Sequence, residues 1–229
     1  MRYECEQVEL KRKDDGTDLY LTKFWCPASW QDKNILMVHG LTYTQHVFDI
    51  KYKDYSVCEY FAKNGYTVWR LDLSGYGKSG KYEDGWKVTT QHAAEDEIYA
   101  LEKICELQGV EKLDLLGWSW GTMTTSEVAS QRPDLLKKVV WLGPCFGGAF
   151  EATPVTELHG MWVDHTYAQD GGHGRPNGGA KEIMEIGDDW LIDTKAVKLL
   201  HLHGAGHAMY LEKDYYQTTR EAILKFISE

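Results

Sequence analysis

The stretch that most constrains this chain is Gly117-Trp118-Ser119-Trp120-Gly121, read with what stands on either side of it. The apolar run Leu113-Asp114-Leu115-Leu116 precedes it and reads as a strand; Thr122 to Gln131 follows and reads as a helix. A strand that feeds a helix through so short a turn forces the central serine into a strained backbone conformation. Its hydroxyl is pushed out above the sheet edge. Gly117 and Gly121 are needed because side chains there would collide with the neighbouring strand and helix.

The rest of the chain alternates. Val8 to Phe24 reads as a hairpin turning at Asp14-Asp15-Gly16, an Asp-Gly turn signal. A strand is expected at 34–38, a helix around 56–64, a strand at 66–71 and a helix at about 91–108. That helix carries Ala94, Ile98, Leu101 and Cys105 at helical spacing, with its charges expected on the other side. After the turn at Ser119, its helix ends before Pro133; strand 138–142 and a last helix from about Tyr215 to Ser228 complete the pattern. Strands alternating with helices predict a parallel sheet covered on both faces. No repeat, linker or low-complexity tract divides residues 1–229, so one domain is expected, burying roughly 70–75% of its unfolded surface.

Three further stretches agree with the serine turn. Asn34-Ile35-Leu36-Met37-Val38 runs into a His39-Gly40 turn, and Arg70-Leu71-Asp72-Leu73 ends in Ser74-Gly75-Tyr76-Gly77-Lys78-Ser79. Near the C-terminus, Leu199 to His203 reads as a strand ending in Gly204-Ala205-Gly206-His207. In this order and at these distances the stretches resemble the α/β-hydrolase family over nearly the whole chain, except residues 145–197. The resemblance implies an α/β fold, with a mostly parallel sheet, helices on both faces and a small or reduced lid. It makes Ser119 the nucleophile of a serine hydrolase, at the nucleophile elbow, and His207 the base. The backbone amides of Leu41 and Trp120 would form the oxyanion hole. Asp72 and His39 are read as shaping their turns, not as moving protons. Trp118 either lines a substrate pocket or packs beside the elbow.

Residues 145–197 read as a lid or shortened cap segment. Thr153-Pro154 looks like a helix start, and Gly172 to Gly179 is too glycine-rich to be an element. Asp189, in Gly187-Asp188-Asp189-Trp190-Leu191, is the first candidate for the acid that orients His207. Yet a parallel neighbour needs a crossover of a dozen or more residues, and the next strand follows at once. Asp164 is the second candidate, Asp188 the third, and an absent acid the remaining reading. Phe146, Phe150 and Trp162 are placed at the site only by lying in this segment. A missing crossover would leave an exposed sheet edge, which would pair into a homodimer.

Charge and cysteine usage narrow the function classes. A net charge of −10 argues against nucleic acid, whose phosphates it would repel. The five cysteines show no paired spacing and read as reduced thiols, placing the protein in the cytoplasm. No apolar run reaches membrane-spanning length. His201, His203 and His207 have a metal-ligand spacing, but strand alternation alone explains it, and no metal is expected. Gly75 to Ser79 lacks the glycine spacing of a phosphate loop. The expectation is therefore a carboxylesterase-like enzyme acting on a small acyl substrate without a cofactor. An amidase or iminopeptidase, an acyltransferase, and a degenerate relative that only binds small molecules are the alternatives.

Overall fold

Alternating apolar residues and an Asp-Gly turn make the first element a hairpin of β1 (Glu4–Lys11) and β2 (Asp18–Trp25), antiparallel from Glu4 opposite Trp25 to Lys11 opposite Asp18. The computed structural model describes residues 1–144, 200, 202 and 204–229. Behind the hairpin come β3 (Lys33–Val38), β4 (Tyr66–Asp72), β5 (Leu113–Trp118) and β6 (Leu136–Leu142). The described strands form one sheet in the order β1-β2-β4-β3-β5-β6. β2 meets β4 antiparallel, and every pairing from β4 to β6 is parallel. Every residue of β4 and β5 is buried, as their apolar runs require of strands covered on both faces.

The described helices are α1 (Val57–Lys63), α2 (Thr90–Gln108), α3 (Trp120–Gln131) and α4 (Tyr216–Ser228). Strand alternation divides the core between the two faces of the sheet. Ile35, Met37, Leu116 and Trp118 pack with Phe61 of α1 and Ile223 and Ile227 of α4. Leu36, Val38 and Leu115 pack with Leu101 and Ile104 of α2 and Val128 of α3. Side-chain caps start α1 and α2: Ser56 Oγ accepts from the Glu59 amide at 3.0 Å, and Thr89 Oγ1 from the His92 amide at 3.1 Å. Leu200 and Leu202, the two described residues of the strand expected at 197–203, lie outside regular structure. The other residues of that strand, and the lid segment 145–197, lie outside the described residues.

α2 departs from its expected pattern. Its buried face includes Ala94 and Leu101 but also Asp96 and Glu97, while Ile98 and Cys105 are only half-buried. Asp96 is buried because it has work for both oxygens: it accepts from the Ser74 amide at 2.7 Å, from the Ser74 hydroxyl at 3.0 Å, and from Arg12. The Arg12 side chain is itself fully buried. It also donates to Asp14 at 2.9 and 3.0 Å, to Glu95 at 2.6 Å and to the His92 carbonyl at 3.0 Å. Burial works against the guanidinium charge, but the surrounding carboxylates more than restore it.

Glu97 has no such answer. It is wholly buried, and neither carboxyl oxygen has a hydrogen-bond partner among the described residues. Burial pushes the carboxyl well above the usual carboxylate range, against the pull of Thr124 of α3 and with a further push from Asp96. A carboxyl raised in the folded state contributes its stability below about pH 4.3 and loses it as pH rises through the folded value. Glu97→Met is therefore expected to stabilise the protein at pH 7 by about 1–3 kcal/mol. Urea unfolding at pH 7 and pH 4 checks this: the gain shrinks at the lower pH, and a loss at pH 7 would refute it.

Candidate active site

The end of β5 runs into α3 through Ser119, whose φ of 58° and ψ of −124° lie in the strained region expected for the elbow. Its amide donates to the Leu142 carbonyl at the end of β6 at 3.0 Å, and its carbonyl accepts from the Thr122 amide at 2.8 Å. The turn is therefore held by the neighbouring strand on one side and by its own helix on the other. The crowding is real: a Cβ at Gly121 would stand 2.7 Å from the His39 carbonyl oxygen and 2.8 Å from that of Val38. The two tryptophans of the elbow point to opposite faces of the sheet, Trp118 among the residues packed on α4 and Trp120 among those packed on α2.

The turn after β3 presses against the elbow. A Cβ at Gly40 would lie 2.8 Å from Ser119 Cβ and 3.3 Å from its Oγ, so only glycine fits this approach. The next residue, Leu41, offers a backbone amide that makes no hydrogen bond among the described residues. His39 is fully buried and holds this turn in place. The Leu73 amide donates to its Nε2 at 3.3 Å, so the proton sits on Nδ1, which donates to the Gly40 carbonyl at 2.8 Å. Burial lowers its pKa and keeps the ring neutral. Asp72 likewise shapes a turn, accepting from the amides of Gln45 at 2.7 Å and Lys78 at 2.9 Å. Both residues act as the sequence reading expects.

His207 arrives at the same end of the sheet. Its ring borders Gly143, which follows β6: a Cβ there would stand 3.0 Å from His207 Nδ1. Its carbonyl accepts from Trp118 Nε1 at 3.0 Å, and the two rings lie 5.7 Å apart. Trp118 is only 3% exposed. Around it stand Tyr43, edge-on at 4.9 Å, and Tyr210, edge-on at 5.4 Å. On the other face Tyr76 lies between His39 and Trp120, at 5.0 and 5.8 Å.

The structure thus brings Ser119, Leu41, Trp118, Trp120 and His207 to one end of the sheet. Asp189, Asp164 and Asp188 lie outside the described residues, as do Phe146, Phe150, Trp162, His201 and His203. Among the described residues no group of three or more His, Cys, Asp or Glu side chains could hold a metal ion, and no helix is long and apolar enough to cross a membrane. Sequence reading missed Tyr43 and Tyr210. Their only signal is proximity to the His39-Gly40 and Gly206-His207 turns.

The profile of the alpha/beta hydrolase fold matches residues 33–177, well over half of the chain. The chain belongs to the alpha/beta hydrolase family. Among solved structures of this fold, a CIB-like hydrolase from Thermoplasma acidophilum is 16% identical, with a TM-score of 0.62 over 97% of this chain and 99% of that one. A laboratory-evolved variant of potato epoxide hydrolase is 23% identical, with a TM-score of 0.51 over 64% of this chain. The match spans only 41% of that relative's length. An epoxide hydrolase of Vigna radiata is 19% identical, with a TM-score of 0.52 over 83% of this chain and 54% of its own. At these identities the likeness concerns the fold alone.

Proposed function

We propose that this α/β-hydrolase is a serine hydrolase that cleaves small carboxylic esters through an acyl-enzyme on Ser119. The observation that carries this reading is the strained Ser119 turn, pressed by Gly40 on one side and close to the Trp118-anchored His207 on the other. Strain at a single non-glycine residue persists where function needs it. In the first step His207 takes the hydroxyl proton as Ser119 Oγ attacks the ester carbonyl, and the Leu41 and Trp120 amides receive the developing oxyanion. Collapse expels the alcohol, which takes the proton from His207. Water, deprotonated by the same imidazole, then releases the acid.

Two of the structural relatives are named as epoxide hydrolases, and that chemistry suits this site poorly. A serine that opened an epoxide would be left as an ether, which water does not cleave, whereas an acyl-serine is an ester that water does. Ser119 therefore favours acyl substrates. Intact mass after exposure to a fluorophosphonate tests the proposal. One adduct on the parent protein, absent from Ser119→Ala, is the expected result. No adduct on the folded parent would overturn it and leave a small-molecule binding protein as the better reading.

A further inference from the structure

One buried group beside the site has no role in the chemistry above. Tyr210 is 1% exposed, and its hydroxyl makes no hydrogen bond among the described residues. A buried phenol left without a partner lowers stability, so its retention calls for an explanation. The ring stands edge-on to Trp118 and 5.9 Å from Phe48. Burial, and then the nearby Tyr43 phenol, push the Tyr210 hydroxyl to a higher pKa.

Tyr43 is the other unusual ring. It is 47% exposed and stands edge-on to the buried Trp118. The backbone just before it is left-handed at Thr42, with φ of 67°, and the Tyr43 amide closes the turn on the Gly40 carbonyl at 3.4 Å. This turn also carries the Leu41 amide. The left-handed turn at Thr42 thus sets a half-exposed aromatic ring edge-on to a buried indole and near an unsatisfied hydroxyl. Half-exposed rings change rotamer in picoseconds to nanoseconds, so Tyr43 is free to leave that place to another flat group.

We infer that Tyr43, Trp118 and Tyr210 form a substrate subsite for a flat apolar group carrying a hydrogen-bonding oxygen at its far end, such as a hydroxyphenyl ring. The inference rests on the serine hydrolase reading. Trp118 supplies an edge for the flat face, Tyr43 swings aside and repacks against it, and Tyr210 gains the bond it lacks. A site with a buried polar group discriminates against the analogue that leaves that group unpaired.

The test compares kcat/KM in two matched pairs, phenyl acetate with 4-hydroxyphenyl acetate and methyl phenylacetate with methyl 4-hydroxyphenylacetate. One pair for each side of the ester bond covers either orientation. In one pair the hydroxylated ester is expected to be preferred by about three- to tenfold, the range of a neutral hydrogen bond. Tyr210→Phe loses that preference, and Tyr43→Ala lowers both aryl esters relative to methyl acetate. Tyr210→Phe is also expected to melt no lower than the parent. No preference in either pair, a preference that survives Tyr210→Phe, or a drop in that variant's melting temperature overturns the subsite. If Ser119 still takes the fluorophosphonate label in that case, only the subsite falls. If the parent takes no label, both readings fall together.

Discussion

Ser119→Ala is expected to lower turnover of any ester the parent cleaves by about 10⁶-fold, because nucleophile and base act as a unit. No other hydroxyl is delivered to that point by the elbow. The substitution removes one oxygen and leaves the backbone constraints in place. The Leu142 carbonyl still accepts the residue's amide, and Gly40 still makes room for its Cβ. Alanine at φ 58° is as strained as serine, so the unfolding midpoint in urea should stay within about 0.5 kcal/mol of the parent. Turnover and unfolding measured on one preparation decide the matter. A variant that keeps more than about a hundredth of the activity would show that Ser119 is not the nucleophile, since even the loss of one oxyanion donor costs more.

The second large effect lies on the opposite flank of the sheet. Arg12→Leu is expected to destabilise the protein by about 3–5 kcal/mol at pH 7, the penalty for leaving a buried charge without its partner. The group left behind is Asp96, which is fully buried and already pushed to a higher pKa by burial, against the pull of the Ser74 amide and Arg12. Without the guanidinium its pKa rises further. A carboxyl raised in this way withdraws stability as pH climbs above the unfolded value, so the deficit of the variant should shrink toward pH 4. Urea unfolding of parent and variant at pH 7 and pH 4 reads both effects. A deficit below about 1 kcal/mol at pH 7 would place Arg12 among surface ion pairs.

These two experiments probe parts of the protein that differed in how plainly the sequence announced them. The parallel sheet was legible because Asn34 to Val38, Tyr66 to Leu71 and Leu113 to Leu116 are short apolar runs with glycine-containing turns at their ends. The elbow was legible because its glycines answer a steric demand visible from the pattern alone. The buried face of α2 was not. Pattern reading assigns charges to solvent, and nothing local says that Asp96 will meet an arginine from the hairpin turn and a serine after β4. Such partners come from strands remote in sequence, and only the assembled sheet brings them together. Tyr43 and Tyr210 escaped for a related reason. Isolated aromatics in turns have no period to betray which way they face. Trp118 was ambiguous in sequence because pocket lining and packing use the same residue type.

That bond has a consequence for how the site tolerates motion. The indole belongs to the residue directly before Ser119, and it grips the main chain of His207. A shift of the elbow is therefore expected to carry Ser119 and His207 in the same direction. Reaction geometry depends on relative position and orientation, which a common movement leaves unchanged. One side-chain bond thus couples the placement of two residues 88 positions apart.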